Sequence, residues 1–346
     1  MSPLFRAGLF GLALCVSSPA FADLLFVHVP IGRQGTLTAP SFVQVDQSLR
    51  AIPGGADAVP ADTYKNSYAL SMKDMLQTTP GVFAQPRWGE ESRLSIRGSG
   101  LSRGFHLRGI TILQDGVPFN FADGSTDFQE LDPLTLRHIE VYRGGNGLRY
   151  GAATLGGAIN AVTQTAQDMD YNALLRLEGG SFHTKRLHAE SGQVFGQGDV
   201  YASYTKSLSE GYRENSEGNN MRFNGNAGLQ LNDRAETRFY ISYNRLNQNI
   251  PGTISKNAAE HQPTRAALAN IIDQYARDIN SLRIANRTAF DLGQGRTLEV
   301  GGYMNNKDLY HPIFQVVDQQ SLDLGLFARL KGDRYVLGIN AGRGYN

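Results

Sequence analysis

The stretch IEVYRGGNGLRYGAATLGGAIN, Ile139–Asn160, starts as a strand and then fills with glycine. Two physical situations favour such a ribbon. A strand that runs through glycines into a helix can cradle a phosphate on backbone N–H groups. A chain packed backbone against backbone in a confined space also needs residues without a Cβ. The spacing argues against the first. Gly145, Gly147 and Gly151 do not make G-x-G-x-x-G, no Lys-Ser/Thr pair follows, and AATLGGAIN offers too little helix to present an N-terminus. The ribbon is read as a thin segment that other parts of the molecule wrap, with Glu140, Arg143, Arg149 and Asn160 as its polar handles.

Downstream of the ribbon the grammar changes to alternation. In MRFNGNAGLQL, Met221, Phe223, Ala227, Leu229 and Leu231 share one face, and Arg222, Asn224, Asn226 and Gln230 the other. In SLDLGLFARLKG, Leu322, Leu324, Leu326, Ala328 and Leu330 oppose Asp323, Arg329 and Lys331. Period two of this kind marks a strand with one apolar and one polar face. Further runs lie near 171–179, 185–195, 199–208, 235–247, 281–291, 296–307 and 334–343. The tight links GQG, NDR, GQG and KGD, at 196–198, 232–234, 293–295 and 331–333, all fall at one end of such a sheet. The SFHT turn, the Ser209–Asn220 loop, the Gln248–Asn280 excursion and the Leu309–Ser321 link fall at the other. Short turns at one end and longer loops at the opposite end are the asymmetry of an outer-membrane barrel. Segments of about ten residues also suit a tilted strand that crosses a bilayer.

Upstream, the first residues read as a secretory leader over 1–22. Arg6 gives a cationic start, an apolar run extends from Gly8 to Val16, and AFA precedes Asp23. The only cysteine, Cys15, lies in that leader, so the mature chain has no disulfide or thiolate metal site. A net charge of +1 with no charged tail argues against nucleic acid as a partner. With 39 Gly, 15 Tyr and 17 Phe, the composition favours turns and aromatic-bearing strands. Over 46–165 the chain reads as a compact α/β unit. TYKNSYALSMKDMLQTTPG predicts a helix with Leu70, Met72, Met75 and Leu76 as its apolar stripe, stopped by Pro80-Gly81. SRLSIRGSG and GITILQDGVPF predict short strands, the second closed by an Asp115-Gly116 turn. PLTLRHIEVYRG predicts a helix-like start at Pro133 before the strand.

The segments SLRAIPGGADAVPADTY, LSMKDMLQTTPGVF, LSIRGSG, ILQDGVPFN and HIEVYRGGNGLRYGAATLGGAIN are similar, in order and spacing, to the plug of TonB-dependent outer-membrane receptors. The resemblance implies an α+β plug domain over 46–165, followed by an incomplete antiparallel transmembrane β-barrel over 166–346. About nine strands can be counted, against an expected 22 for a complete receptor barrel. The sequence is therefore expected to be the N-terminal portion of a longer receptor. It further implies a signal-peptide-bearing protein of the Gram-negative outer membrane, in contact with its lipid, that imports a metal chelate. The wording RLSIRGSGLSR and IPGG is nearest to the ferric-citrate-like branch, so the expected cargo is a ferric siderophore or ferric citrate.

The same resemblance supplies site residues. A TonB box in the 23–45 segment would lend a strand edge to the periplasmic partner TonB, and GTLTAP places it at Thr36, Leu37, Thr38 and Ala39. LLFVHV at 24–29 is a second candidate. Arg87, Trp88, Arg103, His106 and Arg108, on the plug's outward loops, suit an anionic or aromatic chelate. Arg97, Gly98, Asp115, Gly116, Glu140, Arg143, Gly144, Tyr150, Gly151, Gly156, Gly157 and Asn160 are expected to fit plug to barrel. In particular, Arg97 and Arg143 are expected to pair with acidic barrel residues. No resident cofactor, metal cage or catalytic constellation is expected, since His183 and His188 flank a hairpin and no H-E-x-x-H occurs. The alternatives are a non-transporting fragment of such a receptor, a passive porin-like or adhesive barrel, and an exported glycine-rich enzyme.

Overall fold

The computed structural model describes residues 35–99, 109–122, 124–151, 154–332 and 334–345. The leader, Cys15 and the LLFVHV candidate lie outside the described residues. Helix α1, Phe42–Arg50, opens on a capping box in which Ser41 N donates to Gln44 Oε1 at 2.9 Å. It straddles the boundary expected at 45/46. Strand β1 (Ala56–Pro60) follows, and then α2, Met72–Leu76.

The helix expected over 63–81 is shorter than its apolar stripe suggested. Lys65–Ser67 is a 3₁₀ turn, and Tyr68 at φ 55° breaks the run. Asp74 Oδ2 then accepts from Ser71 N at 3.0 Å, so the helix proper starts at Met72. Its stripe is nevertheless core: Met72, Met75 and Leu76 are buried.

Strands β2 (Val82–Pro86) and β3 (Ser92–Ile96) form a ladder of their own. Strands β4 (Ile110–Gln114), β5 (Val117–Pro118), β6 (Leu136–Arg143) and β7 (Gly157–Thr163) join β1 in a sheet of order β1-β6-β7-β4-β5, with β4 and β7 parallel. The helix-like start expected at Pro133 is instead a turn, Thr135 N bonding to Asp132 O at 3.2 Å, and β6 begins at Leu136. Ile96, Ile112, Ile139, Val141 and Ile159 pack with α2 into one apolar core.

The ribbon lies between β6 and β7 as a 3₁₀ segment, Gly144–Tyr150, followed by a close return. A Cβ on Gly157, at φ +142°, would stand 2.1 Å from the Tyr142 carbonyl oxygen. One on Gly156 would stand 1.9 Å from Ser99 Oγ. Close approach, of the Tyr142 backbone to Gly157 and of the Ser99 side chain to Gly156, accounts for these two glycines rather than phosphate binding.

Nine strands then follow in strict hairpin succession: β8 (Ala173–Gly180), β9 (Thr184–Phe195), β10 (Gly198–Ser209), β11 (Gly218–Asn232), β12 (Ala235–Asn249), β13 (Ala276–Gly293), β14 (Arg296–Pro312), β15 (Val316–Gly332) and β16 (Tyr335–Tyr345). All pair antiparallel with their sequence neighbours. The four tight turns share one end, as their spacing predicted. The excursion between β12 and β13 carries α3 (Lys256–His261) and α4 (Leu268–Ile272). The long link expected at Leu309–Ser321 is not a loop. Strand β14 runs on to Pro312 and β15 starts at Val316, because the alternating pairs Leu309↔Gln319 and Tyr310↔Asp318 continue the ladder.

The sheet's polarity is the reverse of a soluble protein's. Arg222, Asn224 and Asn226 are buried while Leu229 and Leu231 are about half exposed, at 48% and 50%. On β15, Asp323 and Arg329 are buried and Leu326 is 69% exposed. The polar face packs on the plug and the apolar face points away from it, as a lipid-facing wall requires. Among the described residues no helix is long and apolar enough to cross a membrane, a statement that does not bear on strands.

Candidate functional site

Among the contacts that join the inner segments to the inner face of the wall, three sets differ in their chemistry. At the loop end they are ionic. Glu90 accepts from Asn220 Nδ2 at 2.9 Å and is ion-paired with Arg222, whose Nε also donates to the Gln129 carbonyl at 2.8 Å. Asp127 pairs with Arg277 and Lys307, and Lys307 reaches Glu130 at 2.8 Å. Ser281 Oγ donates to Glu130 Oε2 at 2.6 Å, and Ala122 N donates to Asp323 Oδ2 at 2.9 Å. Burial alone would raise the Asp127 carboxyl. Arg277 and Lys307 outweigh it and hold the group well below the usual carboxylate range.

Midway along the wall, the plug is held by its backbone. Asp115 and Gly116 take φ of 57° and 76°, the geometry of a tight hairpin turn that leaves carbonyls projecting. Arg283 donates to Val117 O and Pro118 O, each at 3.0 Å; Arg287 donates to Asp115 O at 3.0 Å; Arg329 donates to Gly116 O at 2.7 Å. The Asp115 carboxylate itself turns back into the plug, accepting from Thr163 N at 2.7 Å and Thr163 Oγ1 at 2.8 Å. Burial pushes its pKa up, with the Thr163 bonds opposing.

At the tight-turn end sits Thr36–Ala39. Thr36 Oγ1 donates to Glu236 Oε1 at 2.9 Å and Thr38 N to Glu236 Oε2 at 3.1 Å, while the Thr38 hydroxyl also contacts Glu236. Arg238 Nε donates to Thr38 Oγ1 at 3.1 Å, and Arg287 donates to the Thr38 carbonyl. Arg238 is itself neutralised by Asp199 through two bonds of 2.7 Å. The segment is therefore docked on β12 and β13, with Thr38 and Ala39 buried.

The expected pairing of Arg97 and Arg143 with barrel acids is corrected by the structure. Arg97 Nη2 donates to the Gly54 carbonyl at 2.8 Å. Arg143 Nε donates to the Pro80 carbonyl at 2.7 Å, and its guanidinium pairs with Asp57 of β1. Both bond carbonyls at bends of the plug rather than acids of the wall. In the ion pairs described across the interface the assignment is reversed: Glu90, Asp127 and Glu130 of the plug meet Arg222, Arg277 and Lys307 of the wall.

Glu140, Tyr142, Tyr150 and Asn160 come together inside the plug. Glu140 accepts from Tyr142 OH at 2.9 Å and Asn160 Nδ2 at 3.0 Å, and lies 3.3 Å from His138 Nε2. Burial would raise its pKa, but bonds from His138, Asn160 and Tyr142 bring it down to about 2. Asn160 Oδ1 accepts from Gly116 N at 2.8 Å, which ties this network to the arginine-held turn. Gly144 and Gly151, at φ +56° and +121°, shape the ribbon between; Gly98, at φ +85°, meets nothing within 4 Å.

Of the expected ligand contacts, Arg103, His106 and Arg108 lie outside the described residues. Arg87 pairs with Glu91 at 2.8 Å, and Trp88 is partly buried next to Glu90, at the loop end of the wall. Sequence reasoning missed Arg283, Arg287 and Glu236. The signal was available for all three, since they fall on the polar parity of β13 and β12. Glu90 in WGEES carried no such signal.

Comparison with known proteins agrees with this architecture. Residues 48–158 match the family described as TonB-dependent Receptor Plug Domain. The chain is 24% identical over 210 residues to the vitamin B12 transporter BtuB of Vibrio vulnificus (strain CMCP6), covering 61% of this chain and 33% of that protein. It is 28% identical over 189 residues to a hemin receptor of Yersinia enterocolitica, covering 53% of this chain and 23% of the receptor. Among solved structures, the unliganded ferric citrate transporter FecA superposes with a TM-score of 0.68 at 16% identity, over 81% of this chain and 44% of FecA. The chain thus spans about a third or less of the curated relatives and under half of that structure. Its nine-stranded sheet corresponds to part of such a barrel.

Proposed function

This chain belongs to the TonB-dependent receptors, transporters rather than enzymes, and from that premise we propose that it serves the energy-coupled import of a metal chelate across an outer membrane. The observation that carries the reading is the inverted sheet. Its arginines hold a plug turn by four backbone carbonyls, while its leucines face away. A porin-like barrel has no such cork, and a soluble exported enzyme would not expose that apolar face. BtuB, the hemin receptor and FecA are named for vitamin B12, hemin and ferric citrate, all of which are metal chelates. A ferric chelate is the first expectation here, ferric siderophores and ferric citrate among them.

In this reading the cargo docks at the loop end, and Thr36–Ala39 is the handle offered to TonB. The strand-edge mode of pairing suits it, because affinity then rests on main-chain bonds. Force on that handle would first break the Glu236 contacts and then load the Arg287 clamp shared with the Asp115-Gly116 turn. The test is uptake of labelled ferric chelates by cells that express the full-length gene, with and without residues 36–39. Loss of uptake with surface binding retained is the expected result. Uptake unaffected by the deletion rejects the handle, and recovery of the protein wholly in the soluble fraction rejects the membrane assignment.

A further inference from the structure

Three guanidiniums on the inner face of the wall differ from its other arginines. Arg222, Arg238 and Arg277 each pair with a carboxylate. Arg283, Arg287 and Arg329 bond only neutral oxygens among the described residues. These are the Gln114 side-chain oxygen for Arg283, the Thr38 carbonyl for Arg287, and the four carbonyls of the Asp115–Pro118 turn. The carboxylates nearby are engaged elsewhere. Asp115 bonds Thr163, and Glu299, opposite Arg329 in register, accepts from Lys331 at 2.7 Å. Arg287 Nε, and both Nε and Nη2 of Arg329, are buried without a hydrogen-bond partner among the described residues.

Holding a neutral carbonyl does not require a charge, since an Asn or Gln amide would donate as well. A buried cation without a counter-ion is costly, so three of them in one place call for a reason. Two of them also converge. A Cβ on Gly116 would stand 3.0 Å from Arg287 Nη1 and 3.7 Å from Arg329 Nη1, so one point at the tip of the turn lies within reach of both. The planar guanidinium fork matches a carboxylate, which accepts two parallel bonds from it. The cavity on the tight-turn side of Gly116 is lined by the same two arginines. When the turn withdraws, its carbonyls and the Asp115 charge leave together, and that point opens to both forks.

We propose that Arg287 and Arg329, with Arg283 one step nearer the loops, form a transit site for a carboxylate-bearing, anionic metal chelate. At rest the plug turn covers the site, and its carbonyls stand in for the ligand. The proposal rests on the import reading and names the charge class of the cargo. Its test uses neither uptake nor TonB, so the two can fail separately.

The test places the purified full-length receptor in a planar lipid bilayer, with urea on the tight-turn side to displace the plug. Citrate is the probe and glucose the uncharged control. In wild type, citrate should block the ionic current and glucose should not. The Arg287→Gln/Arg329→Gln pair should need about tenfold or more citrate for half block. The Arg287→Lys/Arg329→Lys pair keeps the charge without the fork and should need about threefold more. Gly116→Asp probes the same point with both arginines intact. Its carboxylate should make pore opening about tenfold less favourable at a given urea concentration, and Gly116→Asn should not. Absence of citrate block in wild type, block unchanged in either arginine pair, or equal opening of Gly116→Asp and Gly116→Asn would each overturn the proposal.

Discussion

Replacing Glu236 by alanine should undock the Thr36–Ala39 segment while leaving the wall in place. The carboxylate accepts from Thr36 Oγ1 at 2.9 Å and from Thr38 N at 3.1 Å, and it also contacts the Thr38 hydroxyl. Hydrogen bonds to a charged group contribute roughly 1.5–3 kcal/mol each. At the lower value for each of the two bonds from Thr36 Oγ1 and Thr38 N, the loss comes to about 3 kcal/mol. At about 1.4 kcal/mol per tenfold, the undocked population rises about a hundredfold. The wall survives because Arg238 keeps its two 2.7 Å bonds to Asp199 and is not left as an unpaired buried charge. The assay is maleimide labelling of a Leu37→Cys reporter, a half-buried position within the segment. Labelling should accelerate strongly in Glu236→Ala and by an intermediate amount in Glu236→Gln, which keeps an acceptor but loses the charge. An unchanged rate in Glu236→Ala would mean that the carboxylate does not hold the segment, and the docking argument would fail.

Three further outcomes follow from the same geometry. Arg222→Met leaves Glu90 buried without its ion pair and should cost about 3–5 kcal/mol in a urea titration of plug release, with much of it regained in the Arg222→Met/Glu90→Gln double variant. Gly157→Ala forces a Cβ to within 2.1 Å of a backbone oxygen at φ +142° and should abolish the protease-resistant plug; Gly145→Ala, with nothing within 4 Å, should be neutral by the same digestion. Glu140 is held at about 2, below its unfolded value, so its contribution is complete above about pH 5 and is lost as pH falls toward 2. Hydrogen exchange of β6 should quicken over that window in wild type, and Glu140→Gln should remove that part of the pH dependence.

The wall was readable in the sequence because one constraint acts on every residue of it. A strand between lipid and a polar interior must alternate, so parity alone placed Arg222 and Asp323 inside and Leu229 and Leu326 outside. Strand ends were less legible: Leu309–Tyr310 and Asp318–Gln319 pair above the apolar band, where alternation no longer follows a lipid boundary. In the plug, period gave the buried stripe of α2 but not its start, since Asp74 and the left-handed Tyr68 set that locally. The S-x-x-Q box that starts α1 was present in SFVQ and was hidden by the reading of 23–45 as the segment that carries the TonB box. The partners of Arg97 and Arg143 were not legible at all. Which carbonyls lack donors is a property of the folded bends at Gly54 and Pro80.

The division of labour between ionic and backbone contacts bears on how a corked wall can be both tight and openable. A buried ion pair broken on one side leaves an uncompensated charge, so the Glu90 and Asp127 contacts resist movement at the loop end. The arginine–carbonyl bonds at Val117, Pro118, Asp115 and Gly116 are different. Withdrawing a neutral carbonyl leaves the plug no charge to desolvate, and water can replace it on the guanidinium. The turn is therefore the cheaper place to part plug from wall. Arg287 connects it to the proposed handle, since one guanidinium holds both Asp115 O and Thr38 O. A pull that removes Thr38 takes away one of that side chain's two anchors before any force reaches the turn. The Asn160 bond to Gly116 N then passes the displacement toward Glu140 and the plug interior. The order of release we propose, handle, then turn, then ion pairs, follows from where the pull acts and from which plug groups carry charge.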